Sequence, residues 1–194
     1  MPTELDQLVT LTRTLGEPHR DWVIIGEGNT SLRIDDASFW VKASGQQMES
    51  ITADGFVAVK FDTILSVLDN PPQTRTELND IMQSAKVDAD SPLRPSIEVS
   101  FHGMLLADCG VNCIAHTHPT PINQIMCSDR ADEFAKNRLF PDDVVLTGPE
   151  SVIVPYSDPG LPLAIEMRKA VRAYMDTYNE APKVILLKNH GLIT

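Results

Sequence analysis

A layered α/β or α+β domain built on a mainly antiparallel sheet is the fold class this sequence predicts. Strand-like runs dominate its first third, helical patterns are interspersed through the rest, and no internal repeat or low-complexity tract interrupts them. The 194 residues suit one domain, residues 1–194, with a sizeable core, and 42 % hydrophobic with 22 % charged content is ordinary for a globular chain.

Residues 3–15 read as an amphipathic helix, with Leu5, Leu8, Val9 and Leu15 on one stripe, Thr3 and Asp6 as a capping pair, and Gly16 as the stop. His19 follows in a polar, solvated loop. Residues 22–25 and 32–34 read as two strands joined by a polar turn, in which Gly28 and Asn29 are placed to offer donors to an oxyanion. A third strand, 39–43, runs into Ser44 and Gly45. Lys42, a hydroxyl and a glycine at a strand end have the composition of an anion-binding turn as well as of an ordinary exit. Residues 51–52 and 56–59 flank Asp54-Gly55, a hairpin signal. A short helix over 62–68 stops before Asn70-Pro71-Pro72, and another around 77–85 lies in the polar surface excursion that runs from there to Pro95.

At residue 95 a helical pattern opens in which Ile97, Phe101, Met104 and Leu105 can face a core and Ser96 is the natural N-cap. Such a helix start also attracts anions. Glu98 in its first turn reads either as a partner of the helix dipole or as a catalytic carboxylate, and His102 as a packed histidine. The apolar, β-branched run 110–114 then predicts a buried strand ending in His116-Thr117-His118. Residues i and i+2 of a strand share a face, so the two imidazoles can converge while Thr117 turns away. Imidazole is the commonest zinc ligand, and a catalytic zinc takes three protein ligands and leaves one position open. The pair alone reads equally as two hydrogen-bonded histidines. His190 ends a second apolar run, 183–187, with Gly191 behind it to permit close backbone approach, and completes a set of three. The remaining elements are helices over 121–126 (capped by Thr120) and 129–137, strands over 144–146 and 152–154, and the longest helix, 162–178.

A formal net charge of -11 excludes a nucleic-acid partner of the ordinary kind, which needs a basic face, while leaving room for a local anion site. Cys109, Cys113 and Cys127 are an odd number of thiols without a secretory leader, the pattern of a reducing, cytoplasmic setting. Cys113 stands three residues before His116, on the opposite face of the strand, which argues against a mixed Cys/His zinc site. No apolar run reaches the roughly 20 residues of a membrane span.

Taken together, Gly28-Asn29-Thr30-Ser31, Lys42-Ala43-Ser44-Gly45, Arg94-Pro95-Ser96-Ile97-Glu98, His116-Thr117-His118 and Asn189-His190-Gly191 resemble the class II aldolase/adducin family in order and spacing. The resemblance implies a three-layer α/β/α fold around a central, mainly antiparallel sheet, assembled as a homotetramer with active sites between subunits. It implies that His116, His118 and His190 are zinc ligands (or ligands of another divalent metal), that Glu98 is the acid/base residue, and that Asn29, Ser44, Gly45 and Ser96 hold a substrate phosphate. The implied activity is zinc-dependent aldol cleavage of a ketose or ketose phosphate through a metal-stabilised enediolate. A sugar-phosphate 4-epimerase or a dehydratase would use the same site, and an adducin-like interaction module would keep the fold without catalysis. Three departures stand out. Ile97 occupies the place where the sugar-phosphate aldolases usually carry a second serine. Lys42 resembles the epimerase branch, whereas Glu98 resembles the aldolase branch. Family members also continue past the His-Gly motif to a tail residue, often tyrosine, so the chain is expected to be a shortened form or a member without it.

Overall fold

The alternation of side chains along the strands decides the layering. The computed structural model describes residues 2–194. Its strands are β1 Asn29–Arg33, β2 Ser38–Lys42, β3 Phe56–Lys60, β4 Cys113–Thr117, β5 Val152–Val154, β6 Ile185–Leu187 and β7 Gly191–Ile193. They form one sheet in the order β3-β2-β1-β4-β7-β6-β5, antiparallel except for the β5–β6 pair. On one face Phe39, Val41, Val57, Val59, Val152, Val154, Ile185, Leu187 and Ile193 enter the main core. Their alternate neighbours Trp40, Phe56, Ile153, Leu186 and Leu192 fall in two smaller clusters on the other face, as the two-residue strand period requires.

Each face must then be covered. On the main-core side lie α2 (Phe61–Asp69), α4 (Val99–Asp108) and α8 (Leu161–Tyr178). Every residue of α4 from Val99 to Leu106 is buried, the signature of a helix enclosed on all sides. The opposite face carries α1 (Glu4–Leu15), which docks Leu8 against Ile51 and Phe56, and α5 (Thr120–Met126) with α6 (Ala131–Lys136), which bring Met126, Ala131 and Ala135 onto Leu186. The outcome is the three-layer α/β/α arrangement that the resemblance implies. Two further helices, α3 (Arg75–Ser84) and α7 (Pro141–Thr147), complete the order. Thr3 and Asp6 make the expected reciprocal capping box at α1.

Several local expectations are corrected. Residues 22–25 form no strand. Asp21, Ile25 and Gly26 all have positive φ, which bends the segment away from extended backbone, and Ile25 is 86 % exposed. The strand begins instead at Asn29, inside what reads as a turn. Residues 51–52 are likewise not a strand, and a 3-10 turn over Ala53–Gly55 leads into β3. Residues 144–146 belong to α7, where Pro141 at the first helical position and Asp142 and Asp143 in the first turn outweigh the β-branched valines. The helix expected from Ser96 begins at Val99, with Glu98 in the cap position.

Candidate metal and acid-base site

The site sits where β1, β4 and β7 adjoin. Antiparallel pairing sets Asn29 opposite His116 and His116 opposite Ile193, so β4 delivers His116 to the middle of the sheet and His118 just past its end. The tight turn between β6 and β7 brings His190 to the same point. Asn189 takes the left-handed conformation there (φ 55°), and Asn123 Nδ2 donates to the His190 carbonyl at 2.9 Å. Gly191 is what permits this approach. A Cβ at that position would lie 2.5 Å from His118 Cδ2, 2.6 Å from the Thr117 carbonyl oxygen and 3.0 Å from His116 Cε1.

The three imidazoles converge through their Nε2 atoms: His116 to His118 is 3.0 Å and His116 to His190 is 3.3 Å. His116 Nδ1 lies 3.0 Å from the Leu192 carbonyl, which can only accept. The proton therefore sits on Nδ1 and the Nε2 lone pair points into the cluster, the outer-shell arrangement usual for a metal-binding histidine. Burial, with the neighbouring His190, pushes the His116 pKa down to about 3, and burial with His116 and His190 does the same for His118. Both are neutral at neutral pH, so their lone pairs are available.

Beside them lies Glu98, buried at the mouth of α4. Its Oε2 accepts from Asn29 Nδ2 at 2.7 Å and lies 3.6 Å from His116 Nε2. Oε1 is 3.4 Å from His190 Nε2 and has no hydrogen-bond partner. Burial raises the Glu98 pKa above the ordinary carboxylate range, with the Asn29 hydrogen bond acting in the opposite sense. Crowded imidazole lone pairs and a partnerless buried carboxylate oxygen are the donor set that a divalent cation satisfies, and the three histidines fit that role.

The model of the class II aldolase and adducin N-terminal domain matches residues 6–194. The chain belongs to the class II aldolase/adducin family. An uncharacterized oxidoreductase of Bacillus subtilis, YuxG, is 28 % identical over all of this chain and 27 % of its own length. The methylthioribulose-1-phosphate dehydratase of Bacillus pumilus is 30 % identical over 61 % of the chain and 46 % of its own length. The 3-oxo-tetronate 4-phosphate decarboxylase of Haemophilus influenzae is 26 % identical over 96 % and 73 %. The chain thus spans about a quarter and under half of the first two relatives. The N-terminal class II aldolase domain of a conserved Thermoplasma acidophilum protein superposes with a TM-score of 0.73 at 24 % identity, over all of this chain and 84 % of that one.

The other residues expected at a family site separate into two groups. Asn29 and Ser96 are buried and turned inward. Asn29 Nδ2 also reaches Ser96 Oγ at 3.3 Å, and Ser96 Oγ accepts from the Glu98 amide at 3.2 Å. Ser44 and Gly45 form an exposed turn after β2, held next to the Ser96 segment by the Ala43–Pro95 bridge and by Ser44 N–H donating to Arg94. Lys42 is buried between these groups. Its Nζ donates to the Gln46 carbonyl at 2.7 Å, and burial lowers its pKa against the opposing pull of Glu98 and Glu27. Ile97, next to Glu98, is 66 % exposed.

Sequence reasoning missed Asn123 and the part played by His102. Cys113 lies outside the histidine cluster, and the three thiols are free. A cavity of about 520 Å³ bounded by Ile125, Phe134, Arg138, Leu139 and Leu186 lies on the α5–α7 side, and no residue of the histidine and carboxylate site lines it. Among the described residues no helix is long and apolar enough to cross a membrane.

Proposed function

We propose that the protein is a metal-dependent lyase that transfers a proton at the carbon next to a carbonyl, with aldol cleavage of a ketose or ketose phosphate as its reaction. The observation that carries this reading is the free Glu98 Oε1 beside three convergent imidazole nitrogens. His116, His118 and His190 would hold a divalent metal, zinc by the type of donor, which would supply Lewis-acid polarisation of a carbonyl. Glu98 does the proton work. In cleavage the protonated carboxyl yields its proton to the carbon that keeps the electron pair when the bond breaks, and in the reverse direction the ionised form removes it; burial raises the Glu98 pKa and so favours the protonated form more than in an exposed carboxylate. Aldol cleavage turns one hydroxy-ketone into a smaller one and an aldehyde, so it needs no oxidant and no water.

Two relatives favour a phosphorylated oxo substrate, because the dehydratase and the decarboxylase are both named for one. Dehydration and decarboxylation pass through the same charge next to a carbonyl, and dehydration is the second reading on the strength of the 30 % identity. Ser44 and Gly45, exposed beside the site, are the groups placed to meet a phosphate from outside. An adducin-like module without catalysis has no use for a partnerless buried carboxylate.

The test is exchange in deuterium oxide. Zinc-loaded protein is expected to wash deuterium into the carbon next to the carbonyl of dihydroxyacetone phosphate, and more slowly into dihydroxyacetone, as read by proton NMR. Glu98→Gln should cut the rate about 100-fold or more while zinc content stays at the parent level. Absence of exchange with both probes, or a Glu98→Gln protein that exchanges normally, overturns the proposal. Screening ketose 1-phosphates for aldehyde release then separates cleavage from dehydration.

A further inference from the structure

The buried histidine that the proposed chemistry leaves unused is His102. It is fully enclosed in α4, one turn beyond Glu98, and both ring nitrogens are engaged: Nδ1 is 2.7 Å from Ser31 Oγ, and Nε2 contacts Asn29 Oδ1. The donors and acceptors allow one assignment. Glu98 Oε2 accepts from Asn29, so the Asn29 NH2 group must face Glu98 and its carbonyl oxygen must face His102. That oxygen can only accept. The His102 proton therefore sits on Nε2, and Nδ1 accepts from the Ser31 hydroxyl. Four groups form a chain of one polarity, from Ser31 through His102 and Asn29 to Glu98, in which every bond polarises the next toward the carboxylate.

We propose that His102 is a positioning residue: by locking the Asn29 amide it ties down Glu98 Oε2 and leaves Oε1 as the oxygen that exchanges a proton with substrate. The inference rests on the acid/base reading of Glu98 given above. Without a donor at His102, the Asn29 carbonyl oxygen is left buried without a partner, and the bond to Glu98 alone must hold the amide in its orientation. A turned amide would set two oxygens against each other and release the carboxylate from its fixed pose. Ser96 cannot substitute, because its hydroxyl contacts the Asn29 amide nitrogen at 3.3 Å and not the oxygen.

The experiment uses the full chain in two forms. In the unmodified metal-free protein with labelled histidine, nitrogen-15 NMR is expected to show one imidazole as a fixed neutral Nε2–H tautomer, a signal absent from His102→Gln; an Nδ1–H tautomer overturns the proposal. In zinc-loaded proteins, His102→Leu should bind zinc like the parent and lower the dihydroxyacetone phosphate exchange rate at saturation about 10- to 100-fold, the usual effect of removing an outer-shell partner, with the half-saturation concentration within a few-fold. His102→Gln, whose amide N–H can donate to Asn29, should recover most of the rate. A purely structural role would make the rate follow thermal stability in both variants. Normal exchange by folded His102→Leu, or equal losses in the Leu and Gln variants, overturns it. Glu98→Gln run beside them keeps the two readings apart. If that variant exchanges normally the acid/base reading fails while the tautomer result stands, and if it is dead while His102→Leu is normal only the positioning role falls.

Discussion

Replacing Gly191 by alanine would show whether the close approach of β7 to β4 is what assembles the histidine cluster. The added methyl would lie 2.5 Å from His118 Cδ2 and 2.6 Å from the Thr117 carbonyl oxygen. Those contacts are roughly 1 Å short of the 3.5–4.0 Å optimum for carbon atoms. Neither neighbour is the free end of a flexible chain, since the Thr117 carbonyl is backbone and His118 is a cluster member. Relief therefore requires β7 to move away from β4, where the His116–Ile193 and Thr117–Leu192 pairs and the His116-to-Leu192 hydrogen bond resist. Overpacking of this kind costs about 1–3 kcal/mol. At roughly 2–4 °C per kcal/mol for a chain of this size, the melting temperature should fall by about 2–12 °C. Zinc affinity should weaken about 10- to 100-fold, because two ligands are displaced and one loses its outer partner. The assay is a melting curve without metal and a zinc competition titration against a chromophoric chelator. Gly45→Ala is the control: nothing lies within 4 Å of its added methyl, but φ is +81°, so it should cost roughly 1–2 kcal/mol of backbone strain and leave zinc affinity alone. A Gly191→Ala protein with parental melting temperature and zinc affinity would refute the argument.

Further expectations follow from the same geometry. His116→Ala and His190→Ala should each abolish tight zinc binding, read by elemental analysis after gel filtration; full metal content in both would sink the three-histidine assignment. Without metal, Glu98→Gln should melt at or above the parent temperature because it removes a buried charge, whereas a drop worth about 0.3–1 kcal/mol would mark Glu98 as a helix-dipole partner. Iodoacetamide at pH 8 should modify exposed Cys127 well before Cys109, whose pKa burial and Asp108 push up to about 11, leaving about one thiol in a thousand ionised; equal rates by peptide mass spectrometry would contradict that burial. On family grounds the chain should run as a tetramer in light scattering at micromolar concentration, and a monomer would end that expectation.

Elements with a strong period or a clear start signal were legible from residues alone. The 152–154 strand, the 62–68 helix and the long helix at 162–178 stand within a residue or two of their observed limits. Two of the failures share a cause. Residues 22–25 and 144–146 are short apolar, β-branched runs, and such a run is a strand only if a neighbouring strand can pair with it. Trp22 offers its carbonyl to the His118 amide and the segment pairs no further, while 144–146 falls inside a helix whose start signals lie upstream at Pro141 and Asp142. The site divides in the same way. His116 and His118 are readable because they are two residues apart, and Gly191 because glycine beside a histidine marks close approach. Asn123 and His102 act across 67 and 73 residues of chain, and nothing in their local sequence shows which partner they will meet.

Glu98 is the residue whose meaning changes most between sequence and structure. In the first turn of a helix, a glutamate at the surface gains about 0.3–1 kcal/mol from the dipole, and that reading needs no reaction at all. The structure gives that reading no capping bond. Glu98 stands in the cap position of α4, but its side chain makes no capping bond; it turns to Asn29 and the histidines, buried, with one oxygen unpartnered. Burying a carboxylate with a single neutral hydrogen bond costs several kcal/mol, more than the dipole can return, and the raised pKa has the same cause. A chain folding for stability alone would do better with glutamine there. Lys42 and His190 offset part of that cost, and on the proposed function a cation at the three imidazoles would offset more, so the least stable feature of the site is the strongest argument for that proposal.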